Sequence, residues 1–330
     1  MVKLSTKQEI KEALDMPFSE FKETIMAEAI KVRKEATDNS LYTTAMLGYT
    51  NHCKNQCLYC GMRAGNTKLP RYRIPPCDII SSAQNAKDMG LERMFLIAGE
   101  DRGYKFDDLL GAIKEITKMG LQVSLAGGEF TDSQYTELED AGVYEYVLKF
   151  EMSHEDTFNR LNPSTNYKQR MAAIEKIKST KMLLASGNIV DYPGQTQEEL
   201  IDDIMLMKQL DISWAPVIPY MPAAGTPLAE EGGRGNLETS FRQISIIRNL
   251  LPKARYTAQH PGEDPKLGVS AEDGNLGALN AGADTLFVDL LPAAQAQNFS
   301  VIDNRIVLGL DHAKKMASLA GMNINVKAIK

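Results

Sequence analysis

Three of the four cysteines in this 330-residue chain fall within eight positions. They are Cys53, Cys57 and Cys60 in the stretch Asn51-His52-Cys53-Lys54-Asn55-Gln56-Cys57-Leu58-Tyr59-Cys60-Gly61. The C-x3-C-x2-C spacing lets one short loop offer three thiolates. A cubane [4Fe–4S] cluster usually takes four thiolates from its protein. Three would leave one iron open, and an open position is what separates a reactive metal site from a structural one. Other readings compete. His52 as a fourth ligand would close a zinc site. Cys77 as a fourth would make a simple electron carrier. Cys77 stands in Pro75-Pro76-Cys77-Asp78, a helix start, where packing accounts for it as well.

Four cysteines in a chain of this length are no disulfide framework; such a cluster in a reducing compartment binds metal or does redox chemistry. The formal net charge of −6 argues against nucleic acid or an anionic membrane as partner, since phosphate binding wants a basic footprint. No secretory pattern opens the chain and no apolar run reaches membrane-spanning length, so a cytoplasmic protein is expected. The sixteen methionines read most simply as adaptable core filler.

The loop needs a scaffold, and the hydrophobic pattern supplies one. Residues 1 to about 40 read as a helical extension, and residues 41–330 as the main domain. Within it short apolar runs alternate with amphipathic stretches. The runs are Thr43–Thr50, Met94–Ala98, Gln122–Ala126, Tyr144–Phe150, Met182–Val190, Trp214–Pro219, Arg255–Gln259 and Thr285–Leu290. Helical patterns fall between them, near 78–89, 106–119, 132–141, 167–179, 197–210, 237–251 and 274–281, and a final helix near 311–320. Eight strand–helix alternations imply a parallel sheet, and eight strands can close a (β/α)8 TIM-type barrel. A doubly wound open sheet is the alternative. In a barrel the chemistry gathers at the carboxyl ends of the strands, and that is where polar residues follow these runs.

C-x3-C-x2-C after a first barrel strand, with an aromatic residue before the last cysteine, resembles the signature of the radical S-adenosylmethionine (SAM) superfamily. Cys57–Arg63, Arg71-Tyr72-Arg73, Gly99-Glu100-Asp101, Pro193-Gly194-Gln195-Thr196 and Gly225-Thr226-Pro227-Leu228 resemble the biotin synthase group within it. Residues 45–230 are most similar to HydE-type maturases. Leu279-Asn280-Ala281-Gly282-Ala283 with Leu291-Pro292 is more similar to PylB-type methylornithine synthases. The resemblance implies a [4Fe–4S] cluster whose open iron chelates SAM. It implies reductive cleavage to a 5′-deoxyadenosyl radical, hydrogen abstraction from a small amino-acid-like substrate, and a low-potential electron donor such as ferredoxin or flavodoxin. A HydE-type maturase, a PylB-type lysine mutase and a non-catalytic iron–sulfur carrier remain alternatives.

By the same resemblance, Gly99, Glu100 and Asp101 would meet the methionine amine of SAM, Glu151 its ribose or amine, and Arg170 its carboxylate. A planar guanidinium suits that last task. Arg160, Ser124, Tyr59 and Met221 are further candidates for SAM. No cysteine follows Cys77, so an auxiliary cluster of the biotin synthase type would lack ligands. HydE relatives carry Arg-x-Glu at the end of strand four, where this chain has Lys149-Phe150-Glu151, and only Thr257 remains of their strand-seven pair. The Arg that PylB relatives place on strand six is replaced by Pro216. On the substrate side stand Glu129, Asp132 and Asp191 at strand ends, and Thr257, His260, Glu272 and Asp273 after strand seven. An acidic set with one His could recognise an amine; a solvated acidic loop explains the last group as well.

Overall fold

The computed structural model describes residues 4–303 and 308–325. Its strands are β1 (Ser40–Thr50), β2 (Arg93–Ala98), β3 (Gln122–Ala126), β4 (Val143–Val147), β5 (Leu183–Ala185), β6 (Trp214–Ala215), β7 (Arg255–Tyr256), β8 (Thr285–Asp289) and β9 (Asn323–Asn325). They pair in the order β7-β6-β5-β4-β3-β2-β1-β8, every pair parallel, and β9 adds to β1. A parallel bridge between Thr257 and Thr285 joins the two ends of that order. The backbone N–H of Ala258 donates to the Thr285 carbonyl (2.8 Å), and that of Asp284 to the Tyr256 carbonyl (3.1 Å). The sheet therefore curls into a barrel, and the open doubly wound alternative is set aside.

The two faces of each strand serve different cores, as the period of two requires. Ala45, Leu47, Met94 and Leu96 pack into the large core under the helices. Their neighbours Met46 and Phe95 join Val147, Ala185, Trp214 and Phe287 in a separate inner cluster. Phe95 meets Trp214 edge-on at 5.1 Å, and Trp214 lies 5.6 Å from Phe287. The same inner face holds a buried polar set. Glu145 accepts from Ser124 (2.8 Å), Ser213 (2.6 Å) and Arg255. This fills the barrel as a packed interior rather than a pore.

The strand series matches the sequence reading, with differences on the thin side. Met182–Val190 reads as one strand, but only Leu183–Ala185 is regular. Beyond it the chain keeps isolated bridges, Glu151 to Asn188 and Val190 to Pro219. β6 and β7 are equally cut short. Here the chain departs from the ladder to bring polar side chains to the rim. Four short elements escape the periodicity, Glu155–Leu161, Pro227–Glu231, Pro265–Ser270 and Ala293–Ala296, because few of their residues are buried on one stripe.

The first helices, Lys7–Asp15, Phe18–Phe21 and Ala27–Thr37, lean on the helix Leu237–Leu250. Arg242 of that helix lies over the rings of Phe18 (5.1 Å) and Phe21 (4.8 Å). Arg248, on the same helix and wholly buried, staples the barrel seam. It donates to the carbonyls of Gly282 (2.9 Å) and Ala254 (2.8 Å) and pairs with Asp284 at 2.6 Å. Asp284 in turn accepts from the Tyr256 N–H (2.8 Å), so one ion pair holds β7 to β8. Removing one partner strands the other charge in the interior. Asp284→Ala should lower unfolding stability by about 3–5 kcal/mol in urea denaturation; a loss under about 1 kcal/mol would show that the seam does not depend on it.

Candidate functional site

β1 ends at Thr50 and delivers the chain directly into the cysteine loop. Asn51 is fully buried and fixes the start of that loop. Its side chain donates to the carbonyls of Pro70 (2.8 Å) and Asn298 (2.7 Å) and accepts from the Tyr72 N–H (2.8 Å). Arg71 grips the loop itself. One guanidinium nitrogen donates to the carbonyls of Asn51 and Met62, the other to those of Arg63 (2.7 Å) and Asn66 (3.2 Å). A planar fork meets four carbonyls at once, which Lys could not do. The loop is further tied to the barrel rim by Lys54 N–H to Glu100 (2.9 Å), Leu58 N–H to Leu161 (2.9 Å) and Leu228 N–H to Leu58 (3.0 Å).

Gly99, at the end of β2, is a site of close approach. A Cβ there would sit 2.3 Å from the His52 carbonyl and 2.8 Å from the Cys53 Cβ. Glu100 follows, accepting from Asn55 (3.0 Å) and pairing with Lys54. Its side chain lies over Gly128, whose φ of 90° also favours glycine. Asp101 is spent on the scaffold. It accepts two bonds from Arg73 (2.7 and 2.8 Å), one from Thr50 (2.9 Å) and one from the Gly103 N–H (2.8 Å).

The three thiols share one electrostatic neighbourhood. Burial pushes the Cys57 thiol up to about 12, and the nearby Cys53 and Glu151 push the same way while Arg170 opposes them. Burial also raises Cys60 and Cys53. Backbone N–H groups of Asn55 and Glu100 point at the Cys53 sulfur, and that of Met62 at the Cys60 sulfur. Such donors favour charge on sulfur. Among the described residues no three His, Cys, Asp or Glu side chains converge to grip a single metal ion. Neighbouring thiols that are costly to ionise alone, two of them offered backbone donors and Cys57 the Tyr59 hydroxyl, fit a polynuclear iron–sulfur cluster that brings its own positive charge.

Glu151, just past β4, has a φ of 63°, a conformation a residue with Cβ adopts only when its surroundings hold it there. The Glu151 N–H donates to the Gly187 carbonyl and its carbonyl accepts from Ile189, both at 3.0 Å. Its carboxylate lies 3.0 Å from Lys149 Nζ. Arg170 is buried, donates to Glu129 (2.8 Å) and the Lys149 carbonyl, and lies over the Phe158 ring. Burial alone would lower Arg170, but the Glu129 carboxylate wins and its pKa is raised. Tyr59 donates to Asn162 (2.7 Å) and packs with Met152, Phe158 and Tyr220. Met221 is buried near the same rim, behind the Tyr220 N–H bond to Val190 (2.7 Å).

Other expected residues lie elsewhere. Ser124 is buried in the Glu145 network, and Thr257 accepts from the Trp214 indole at 3.1 Å. Arg160 is an exposed partner of Glu231. Asp132 opens a helix on the surface and pairs with Lys176. Glu129 is taken by Arg170, and Asp191 by the N–H of Asn236 (2.6 Å). Glu272 turns outward to Lys315, and Asp273 accepts from the Glu263 N–H (2.8 Å). His260 faces the helix Leu237–Leu250, 2.9 Å from the Ser240 hydroxyl, and burial lowers it to about 3. The acidic cavity expected after strand seven therefore does not assemble. Alternation explains this: Thr257 faces inward, so His260 faces out and Gln259 faces in. Gln259 is buried with its Oε1 unpartnered.

Sequence reasoning assigned no role to Gln259, Arg71 or Asp203, although Arg71 stood in the Arg71-Tyr72-Arg73 stretch and Gln259 at the end of the seventh run. Asp203, on the helix Gln197–Leu210, accepts from Ser153 N–H (2.8 Å), Asn188 (3.0 Å) and Gln195 (3.0 Å), and burial raises it to about 7. It braces the segments after β4 and β5. The strand alternation could have found the inward face of Gln259; the motif marks Arg71 without its role, and nothing in the pattern marks Asp203.

Comparison with known proteins agrees with this geometry. Residues 47–207 match the model of the Radical SAM superfamily. The [FeFe] hydrogenase maturase subunit HydE of Thermotoga maritima is 29% identical over 301 residues, covering 91% of this chain and 85% of the relative. A 3-methylornithine synthase of Methanosarcina acetivorans is 24% identical over 290 residues, covering 86% and 79%. The crystal structure of methylornithine synthase (PylB) superposes with a TM-score of 0.82 at 22% identity, covering 97% of this chain and 94% of that one; the likeness speaks for the fold.

Two outcomes are expected. Arg71→Lys should cut the iron retained after anaerobic reconstitution severalfold, with far-ultraviolet circular dichroism unchanged; full iron loading would remove the clamp role. His260 is neutral when folded, with a value near 3 against an ordinary 6.5. Between those values only the unfolded chain takes the proton, so stability falls as pH drops, by about 1.4 kcal/mol per unit. His260→Asn should flatten that acid limb of the unfolding free energy by about one proton; an unchanged slope would contradict the buried neutral state.

Proposed function

The chain is a radical SAM enzyme, and from that premise we propose that Cys53, Cys57 and Cys60 hold its [4Fe–4S] cluster and that the barrel mouth beside them binds SAM and a small amino-acid-like substrate. The observation that carries this reading is the shared neighbourhood of Cys57, Glu151 and Arg170. It joins the sulfur loop after β1 to the segment past β4 and to the helix Tyr167–Lys178. No helix among the described residues is long and apolar enough to cross a membrane.

Bound together, the cluster and SAM supply one chemistry: a single electron breaks the sulfonium bond and leaves a 5′-deoxyadenosyl radical able to take hydrogen from a substrate. The protein's own work is to bind, orient and exclude water. Arg71 and Asn51 keep the sulfur loop rigid. Glu100 stands beside Cys53 and Asn55 and suits an ammonium group. Glu151, held in its strained conformation, offers a second carboxylate to the amine or ribose of SAM. Arg170 is kept charged by Glu129 and suits a carboxylate. Asp101 acts through Arg73 and Thr50 to fix the rim, and Tyr59 and Met221 supply apolar walls for adenine.

For the substrate, Lys149 and the inward carbonyl of Gln259 offer a cation and an acceptor, a pair that suits an amino acid's carboxylate and amine. The names of the relatives, a hydrogenase maturase and methylornithine synthases, support a small polar substrate and divide over whether the role is cofactor assembly or amino-acid biosynthesis. A low-potential protein such as ferredoxin or flavodoxin is the electron donor in this reading.

The test is anaerobic incubation with reductant, SAM and a panel of amino acids, reading 5′-deoxyadenosine. The enzyme should release it in a substrate-dependent manner, and Cys53→Ala, Cys57→Ala or Cys60→Ala should abolish it. Wild-type turnover by any of these three variants would sink the assignment. Arg170→Ala should weaken SAM binding by about tenfold or more while leaving iron content intact, the loss of a charge-assisted bond.

A further inference from the structure

We propose that the basic face around Cys53 is the docking surface for a small acidic one-electron carrier protein. This rests on the reading that Cys53 ligates the cluster. A cavity of about 340 Å³ opens to the outside of the sulfur loop, lined by His52, Cys53, Lys54, Arg71, Arg73 and Arg102 among others. It is where a cluster sulfur ligand meets an outer pocket, and electron transfer falls steeply with distance.

The charge there runs against that of the chain. Residues 51–77 contain Lys54, Arg63, Lys68, Arg71 and Arg73 and no Asp or Glu, although the chain as a whole carries −6. Arg102 adds a further cation. The nearby carboxylates Glu100 and Asp101 answer only Lys54 and Arg73. Arg71 spends its donors on carbonyls and keeps its charge uncompensated by any carboxylate among the described residues. Arg102, which lines that cavity, is exposed and makes no ion pair among the described residues. A local basic patch on an acidic molecule orients an acidic partner without attracting polyanions over its whole surface. The balance is simple: the carrier gives up one electron, the cluster takes it, and the broken sulfonium bond consumes it.

The experiment compares the holoenzyme with Arg102→Glu and with a control of equal charge change at the exposed residue before β7, Lys253→Glu. Binding of oxidised flavodoxin is measured by biolayer interferometry at two salt concentrations. SAM cleavage is driven by reduced flavodoxin or by reduced methyl viologen, a small cation that needs no docking. The patch variant should bind flavodoxin about tenfold or more weakly with a shallower salt dependence, and the control should not. Flavodoxin-driven cleavage should fall in parallel and viologen-driven cleavage stay at the wild-type rate. Unchanged flavodoxin affinity, an equal loss in the control, or an equal loss with viologen would overturn the proposal. So would tighter capture of single-stranded RNA than of flavodoxin. Absence of viologen-driven cleavage in the unsubstituted enzyme would instead defeat the parent reading.

Discussion

Three sulfurs on one short loop can serve a cluster only if the loop does not move, and the Arg71 guanidinium is what holds it. The loop has no regular secondary structure between β1 and the helix Pro76–Asp88, so its carbonyls need donors from elsewhere. Arg71 answers four of them. Asn51 ties the base of the loop to the Pro70 carbonyl and to Asn298 near the chain's far end. Gly99 lets β2 press against His52 and Cys53 at a distance that no side chain would permit. The sulfur loop is thus clamped from within, below and beside.

The barrel supplies the remaining groups because its strand ends converge. Glu100 comes from β2, Glu151 from β4, and Gln259 from β7, each one or more residues past the regular ladder. The irregular side pays for this convergence in lost ladder bonds. Buried side-chain networks offset the loss: Asp203 with Asn188 and Gln195, and Glu145 with Arg255 and Ser213. Buried polar sets of this kind are stabilising only when satisfied, and they also fix one geometry for the rim.

Much of the fold was legible because the first barrel strands bury both faces while most helices bury one, so the two periods stand apart in the sequence. The cysteine spacing was legible because ligands from one loop must be close in sequence. The rest turns on partners rather than on residue type. Asp101 and Glu100 are adjacent acids, yet Arg73 consumes one while the other lies beside the sulfurs. Arg71 acts through backbone carbonyls, which leave no mark in a residue pattern. His260 and Gln259 exchange roles because register decides which faces the interior. Glu272 and Asp273 looked like part of an acidic cavity, but the segment folds against the helix Leu310–Leu319 and the Gly262 turn instead.

The central claim is that the protein gives the cluster three thiolates and leaves one iron for SAM. Iron Mössbauer spectroscopy on the anaerobically reconstituted enzyme tests it most directly. Adding SAM should shift one iron of the four away from tetrahedral sulfur coordination and leave the others unchanged. A spectrum that SAM does not alter, with all irons equivalent and sulfur-ligated, would contradict the account.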